Sequence, residues 1–352
     1  MVFSIAVIAY NNSEYLFDNL RSIFYQDYQH IELLVSDDAS LHFDKEQVVN
    51  FIETNKKSNI LRFFVWQQER NLGTVAHAEF CRQKASGAMF FLVAADDVLD
   101  NSSVLTRMYK AAFESNLNMD IVSGQVKQCN IDLSETGHNW ASSSEVDLIR
   151  SGNNANIFSK LSNRTFIPTT GTCYRMSFLE SMGGYDRSYR LIEDAPLYLK
   201  SARLGARFGW IDDMIIAKHR AGGLLHKKLD YKDKAFRMYI KDRMRIFRYE
   251  VFPYIGQIHE TDINPMLMLW YLCRTRYELA YSSNFLKRIF MRIRNNTAAT
   301  VLFSFCFRGE PNLLTANIKA FIGLTVKHAR NSYHNCKAFA KRIINKLQRR
   351  TE

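Results

Sequence analysis

The chain has 352 residues, 47% apolar and 13% aromatic: enough for one large domain plus an extension, and too apolar for disorder. Six scattered cysteines without a CxxC exclude a disulfide framework and a cysteine metal site, and fit a reduced, cytoplasmic compartment. Net charge is +12, yet 14 of the 47 basic and only 2 of the 35 acidic residues lie from Asn284 onward, so the rest of the chain is neutral and the tail alone is built for anionic partners.

The chain opens on a strand-like run, Val2 to Ala9, with no secretory leader expected. Asn12 or Ser13 caps a helix whose Leu16, Leu20, Ile23 and Phe24 share a face. Ile31 to Val35 is a second strand, ending in Ser36-Asp37-Asp38-Ala39-Ser40. A helix follows from Asp44 to Lys57, then a third strand, Ile60 to Trp66, and Asn71-Leu72-Gly73-Thr74 opens a helix reaching Lys84. Met89-Phe90-Phe91-Leu92-Val93 is short, continuous and apolar, as expected of a strand covered on both faces. It runs into Ala94-Ala95-Asp96-Asp97. This alternation predicts an α/β fold, a mostly parallel sheet flanked by helices.

Beyond it, a helix from Ser103 to Ser115 leads to a strand, Ile121 to Gln128, and a long polar loop is expected from Asn130 to Asn156. Thr169 to Tyr174 is a short strand. A turn at Gly183 to Asp186 precedes Glu193-Asp194-Ala195-Pro196, which opens a helix closing at Leu204-Gly205. Phe208 to Ala217 is the last strand, leading to Lys218-His219-Arg220; from there the pattern is helical. The expected division is a domain at 1–220 and a helical C-terminal extension at 221–352, strongly basic from 284. The longest apolar stretches, Met266 to Cys273 and Thr297 to Phe307, fall short of the roughly 20 residues of a spanning helix.

Carboxyl ends of parallel strands share one edge, so Asp37/Asp38 and Asp96/Asp97 should line one crevice, where open α/β sheets bind ligands. Several carboxylates around a crevice repel one another, and a divalent cation completed by substrate phosphates is the usual remedy. That points to a nucleotide diphosphate.

Phe3 to Asn11, Glu32 to Ser40, Asn71-Leu72-Gly73-Thr74, Ala94-Ala95-Asp96-Asp97, and Gly184-Tyr185-Asp186 followed by Glu193-Asp194 together resemble glycosyltransferase family 2, in order and approximate spacing. The resemblance covers Val2 to about Arg220. It implies the GT-A (Rossmann-like) fold and transfer of a sugar from a nucleotide-sugar donor, with inversion, to a carbohydrate or lipid-linked glycan acceptor in surface polysaccharide or lipopolysaccharide assembly. By the same resemblance Tyr10, Asn11 and Asp38 would hold the nucleobase end of the donor, Gly73 would let backbone approach it, and Asp96 would contact ribose or sugar. Asp97 would ligate Mn2+ or Mg2+, with His219 completing the shell. Asp194, beside Glu193, would be the catalytic base. Each residue also has a plain structural role to set against this: an Asx-turn before Ser40 for Asp38, a strand-end aromatic for Tyr10, a helix-opening glycine for Gly73, a helix cap for Asp194, a surface histidine for His219. Two departures from the family pattern are Ile8 in place of a proline and Ala94 in place of another aspartate.

In the tail, Phe285, Leu286, Ile289, Phe290 and Ile293, then Phe339, Ile343, Ile344 and Leu347, recur at helical spacing among lysines and arginines. Basic amphipathic helices suit an anionic membrane surface, which would make the enzyme peripheral on the inner face of the membrane. A solvated helical bundle is the plain alternative, and no aromatic platform or nucleic-acid motif accompanies the charge. A sugar nucleotidyltransferase or a nicotinamide dehydrogenase should show a glycine-rich loop after the first strand, and Asn11-Asn12-Ser13-Glu14 is not one. A non-catalytic sugar- or nucleotide-binding protein on the same fold is the rival from another class.

Overall fold

Four strands, β1 (Phe3–Ala9), β2 (Ile31–Asp37), β3 (Ile60–Gln67) and β4 (Met89–Ala94), pair in parallel in the order β3-β2-β1-β4. The computed structural model describes residues 1–114, 118–221 and 233–281, in two units divided after Lys228. Nearly every residue of β1, β2 and β4 is buried, as continuous apolar runs covered on both faces require, while β3 at the sheet's edge leaves Leu61 and Phe64 exposed.

The sheet continues past β4 through β5 (Val98–Leu99), β6 (Ile121–Cys129), β7 (Glu135–Asn139), β8 (Thr172–Arg175) and β9 (Phe208–Arg220), in the order β4-β8-β6-β9-β5 with β7 on β6. This half is mixed. β8 runs antiparallel to both β4 and β6, so β4 and β6 point the same way, and β9 is parallel to β6. The carboxyl ends of β1, β2, β4, β6 and β9 therefore meet at one edge. Register fixes the neighbours there: Ala9 lies beside Asp37, Ile8 beside Ala94, and Gln128 beside His219. Farther down, the register steps from Gly124 opposite Ile211 to Gln125 opposite Ile215, so Asp212–Met214 bulges out of β9, with Asp213 at a φ of 59°.

Helices α1 (Leu16–Phe24), α2 (Lys45–Asn55) and α4 (Val104–Phe113) cover one face, their apolar stripes joining Val7, Leu33, Phe91 and Val122 in one core cluster. Between them in the chain, α3 (Thr74–Lys84) opens after Gly73. Successive strand residues point to opposite faces, so Phe90 turns away from that cluster and meets the buried Tyr185 with ring centroids 6.5 Å apart. Tyr174 of β8 also faces Tyr185, and stacks on Tyr198 of the last helix of this unit.

Two sequence expectations are corrected. The segment 130–156 holds the hairpin strand β7, helix α5 (Ser143–Arg150) and the start of α6 (Asn154–Leu161). Its Ser142-x-x-Glu145 is a capping box, with Glu145 Oε2 accepting from Ser142 N at 2.9 Å, a signal masked by the polar composition. The first helix is preceded by a 3-10 turn, Ser13–Tyr15, and Asn12 does not cap it, since its Oδ1 accepts from Tyr10 N at 2.9 Å. Helices α7 (Met176–Ser181) and α8 (Asp194–Arg203) complete the first unit.

In the second unit, α9 (Lys234–Ile246) runs through a π-helical turn and a 3-10 turn into α10 (Glu260–Tyr281). Phe252 packs edge-on against Trp270, and Arg237 sits over the Tyr281 ring at 4.6 Å. No helix among the described residues is long and apolar enough to cross a membrane. The basic amphipathic segments from 284 onward lie outside the described residues.

Candidate active site

The turn after β2 is built by its own aspartates. Asp37 is fully buried and accepts from Ser40 N at 2.8 Å and from the Ser40 hydroxyl, and Ser40 Oγ in turn accepts from Asn11 N at 2.7 Å. The Asx-turn considered for Asp38 thus belongs to Asp37. Asp38 instead points at the next loop: Oδ1 accepts from Leu72 N at 2.6 Å and Oδ2 from Gly73 N at 3.0 Å. Beneath them, burial lowers the pKa of His77, whose Nε2 lies 2.8 Å from Ser36 Oγ. On the other side Asn11 takes a left-handed φ of 53° and Tyr10 is exposed, its ring available to a flat partner.

A second group gathers where β4 and β9 end. Asp97 is 1% exposed, and its Oδ1 lies 2.9 Å from His219 Nδ1 and accepts from Arg220 N at 3.3 Å. Burial alone would lower the His219 pKa, but the charge and hydrogen bond of Asp97, aided by Asp96, hold it above the ordinary histidine value. Asp96 is raised, first by burial and then by the charge of Asp97, although the Asn12 side chain donates to it. The turn itself is pinned from outside. Asn19, buried on the apolar face of α1, donates to the carbonyls of Ala94 (3.1 Å) and Asp97 (2.7 Å). Arg220, 4% exposed, donates to the Asp96 carbonyl at 3.1 Å and to the Ile131 carbonyl, and its guanidinium covers the Tyr15 ring at 4.3 Å.

The third group lies on the loops that close the unit. Gly73 has a φ of 81°, and a Cβ there would sit 2.8 Å from Arg190. The close approach that requires glycine is therefore to this chain's own Arg190, which donates to the carbonyls of Leu72 (3.0 Å) and Asn71 (3.2 Å). Gly184 is equally constrained, since a Cβ would fall 2.4 Å from the Glu79 carboxylate that accepts from Tyr185 N. Asp194 is the first residue of α8. Its Oδ2 accepts from Thr169 Oγ1 at 3.1 Å and its Oδ1 from Ala195 N at 2.6 Å. Glu193, one residue earlier, makes no side-chain cap; burial and the charge of Asp194 raise its pKa from the ordinary 4.5 to about 8. The 3-10 turn bearing Thr169 packs against β4, β6 and β9, which places Asp194 on the same half of the sheet as Asp97.

Hydrogen bonds thus tie the ends of β1, β2, β4 and β9 together: Asn11 to Ser40 and Ser40 to Asp37, Asn12 to Asp96, Asp97 to His219. Asp38 and Gly73 form a neighbouring clamp, and Glu193 and Asp194 a separate pair. No group of three or more histidine, cysteine or carboxylate side chains is set to hold a metal ion among the described residues. Asp97 with His219 still fits a cation that takes its remaining ligands from phosphate and water, because the Asp96–Asp97 pair carries like charge that its surroundings only partly offset and Asp97 Oδ2 makes no hydrogen bond among the described residues. Sequence reasoning missed Asn19, Arg190 and Arg220. Only Asn19 left a signal, as a polar residue on an otherwise apolar helix face.

No curated protein matches the chain. Among solved structures it is similar to S. aureus TarS 1-349 in complex with UDP-GlcNAc, at 18% identity and a TM-score of 0.52 over 86% of this chain and 92% of that one. It is also similar to the mannosyltransferase PcManGT from Pyrobaculum calidifontis in complex with GDP-Man and Mn2+, at 15% identity and a TM-score of 0.51 over 100% of this chain and 88% of that one. These likenesses carry the fold, which is that of the GT-A enzymes. The family described as "Glycosyl transferase family 2" matches residues 4–183, which hold the first group with Gly73 and the Asp96–Asp97 turn of the second but stop short of Arg190, Glu193, Asp194, His219 and Arg220. With just over half of its length matched, from β1 through the Asp96–Asp97 turn to β8, the chain belongs to glycosyl transferase family 2.

Proposed function

We propose that this glycosyltransferase moves a sugar from a nucleotide-diphosphate sugar to a carbohydrate acceptor, with inversion and with a divalent cation. The observation that carries the reading is the hydrogen-bonded edge of β1, β2, β4 and β9, with Asp97 held against His219 where the diphosphate of a donor would lie. The donors named with the two similar structures, UDP-GlcNAc and GDP-Man, support a nucleotide sugar, and the Mn2+ of the second supports a metal.

Tyr10 and Asn11 would receive the nucleobase end, and Asp38 would shape that end through the Leu72–Gly73 backbone. Asp96 would face ribose or sugar. Mn2+ or Mg2+, held by Asp97 and His219, would supply charge neutralisation at the departing diphosphate. Asp194 would accept the proton of the acceptor hydroxyl as that oxygen attacks the anomeric carbon, with Thr169 orienting its carboxylate. Glu193, whose pKa is raised by burial and by the charge of Asp194, suits a donor of hydrogen bonds better than a base. The basic segment from 284 supports an anionic membrane surface and a lipid-linked acceptor, as in polysaccharide or lipopolysaccharide assembly on the inner face.

Thermal-shift measurements with UDP, GDP and dTDP, each with and without Mn2+, test the reading. One base should stabilise the protein in a metal-dependent way, by about 2.7 kcal/mol at a hundredfold excess over Kd. Silence from all three, with and without metal, would sink it. Release of nucleotide from the matching donor then separates an enzyme from a non-catalytic binder.

A further inference from the structure

Away from the carboxylate edge, the bulge of β9 leaves an open cavity of about 540 Å³ between β6, β9 and α5. That is within the size range of small-molecule sites. Two indoles, Trp140 and Trp210, stand in its wall with Arg150, Arg164, Asp212 and Asp213.

The charges on this wall balance, and the arginines are engaged. Arg150 bonds to Asp147 at 2.9 Å and to Asp212. Arg164 reaches Glu145 at 3.3 Å and donates to the Trp140 carbonyl at 2.5 Å. Each guanidinium already faces a carboxylate, so the cavity offers no spare cation to a phosphate or other anion. Asp213 is exposed and makes no hydrogen bond among the described residues, which leaves an acceptor for hydroxyl groups. Its left-handed φ of 59° turns this residue out of the β9 ladder. Two indoles in the wall beside paired polar groups suit a ligand that combines C–H contacts with hydroxyls at its rim.

The cavity is joined to the reaction centre through one ring. Trp140 packs edge-on against His219 with centroids 5.7 Å apart, and its buried Nε1–H has no hydrogen-bond partner among the described residues. Trp140 packs on the same core cluster as Met214 of the bulge.

We infer that this cavity is a second carbohydrate site, which holds a neutral sugar unit of the acceptor glycan away from the reacting hydroxyl. The inference rests on the transferase reading for the origin of the sugar, and on the cavity for its chemistry. An acceptor held there through a distal unit would be selected by length as well as by its terminal sugar.

Saturation-transfer NMR on the full chain tests it, with cellotriose, maltotriose and N,N′-diacetylchitobiose as probes. At least one should receive saturation, and saturating UDP or GDP should not displace it. Trp210→Ala should abolish the signal and Trp210→Phe, which keeps an aromatic face, should retain part of it. Asp213→Gly removes the carboxylate while accepting the same φ, and should weaken binding about tenfold, as expected for one hydrogen bond to a charged group. In each variant the thermal shift with nucleotide should equal that of the wild type. No saturation of any probe in a protein that still binds nucleotide overturns the inference, as does a signal that survives both Trp210→Ala and Asp213→Gly. Displacement by inorganic phosphate also overturns it, since it would mark an anion site. Sugar binding lost in the variants, in a protein that binds no nucleotide, supports the cavity and removes only the transferase reading.

Discussion

Asp38 is the residue whose two possible roles the structure separates most sharply. Both of its carboxylate oxygens accept backbone N–H groups of the loop after β3, from Leu72 at 2.6 Å and Gly73 at 3.0 Å, and it is almost fully buried. Hydrogen bonds to a charged acceptor contribute about 1.5–3 kcal/mol each. Asp38→Ala removes two of them and strands two amides, so the loop should be destabilised by about 3–6 kcal/mol. Asp38→Asn keeps one oxygen and turns an amide group toward the other N–H, so it should lose about half as much. Because the loop can open without global unfolding, the loss should show first as local exchange. Native-state hydrogen exchange at the Leu72 and Gly73 amides should therefore accelerate by about 10²- to 10⁴-fold in the alanine variant, with the amides of β1 and β4 unchanged. Nucleotide affinity should fall in step with loop opening. Unaltered protection at Leu72 and Gly73 in Asp38→Ala would refute the clamp, and would return Asp38 to a direct contact with the base.

Asp97→Asn should abolish transfer and the metal-dependent part of nucleotide binding without unfolding the protein; full activity in that variant, or in EDTA, would remove the cation from the mechanism. Asp194→Asn should cut turnover by roughly 10² or more with little change in Tm, because the amide oxygen can still accept from Thr169; a destabilised variant with normal turnover would make Asp194 a structural helix start. Glu193 binds a proton more tightly folded than unfolded, so its contribution to stability is present below pH 4.5 and declines as pH rises toward about 8; denaturation between pH 5 and 8 should show a steeper loss in wild type than in Glu193→Gln, and equal slopes would contradict the buried carboxyl. Replacing Lys341, Arg342, Lys346, Arg349 and Arg350 with glutamine should release the enzyme from anionic vesicles while activity on a soluble acceptor persists; tighter binding of the wild type to short duplex DNA than to vesicles would count against the membrane.

The parallel half of the sheet is legible because β1, β2 and β4 are largely buried, mostly apolar runs between turn signals and the edge strand β3 is rich in aromatic and aliphatic residues, and the carboxyl-end aspartates follow from topology. What the sequence did not disclose were the partners of those aspartates. Asp37 and Asp38 are adjacent and chemically identical, yet one closes its own turn on Ser40 and the other reaches 34 residues ahead to Leu72. Only the path of the chain decides between them. Arg190 and Arg220 are single cations in a turn and at a strand end, without periodicity to mark them, and each acts by donating to backbone carbonyls of segments distant in the chain. The segment 130–156 was misread for a different reason: its helices are short, and polar composition outweighed a local capping signature.

The anchoring of the Asp96–Asp97 turn by Asn19 and Arg220 bears on what substrate binding has to accomplish. Fixing a residue's backbone costs about 1–2 kcal/mol of conformational entropy. Here that cost falls at folding, when α1 and β9 dock on the turn, and none of it recurs when a donor arrives. The donor's binding energy is then free to orient the sugar. A side chain held this way also resists drift by fractions of an ångström, the scale on which misplacement slows a reaction. The same anchoring ties the local rigidity of the turn to the packing of α1, so a core substitution at Leu16 or Leu20, remote from any substrate, would loosen Asp97 and appear in kinetics before it appears in unfolding.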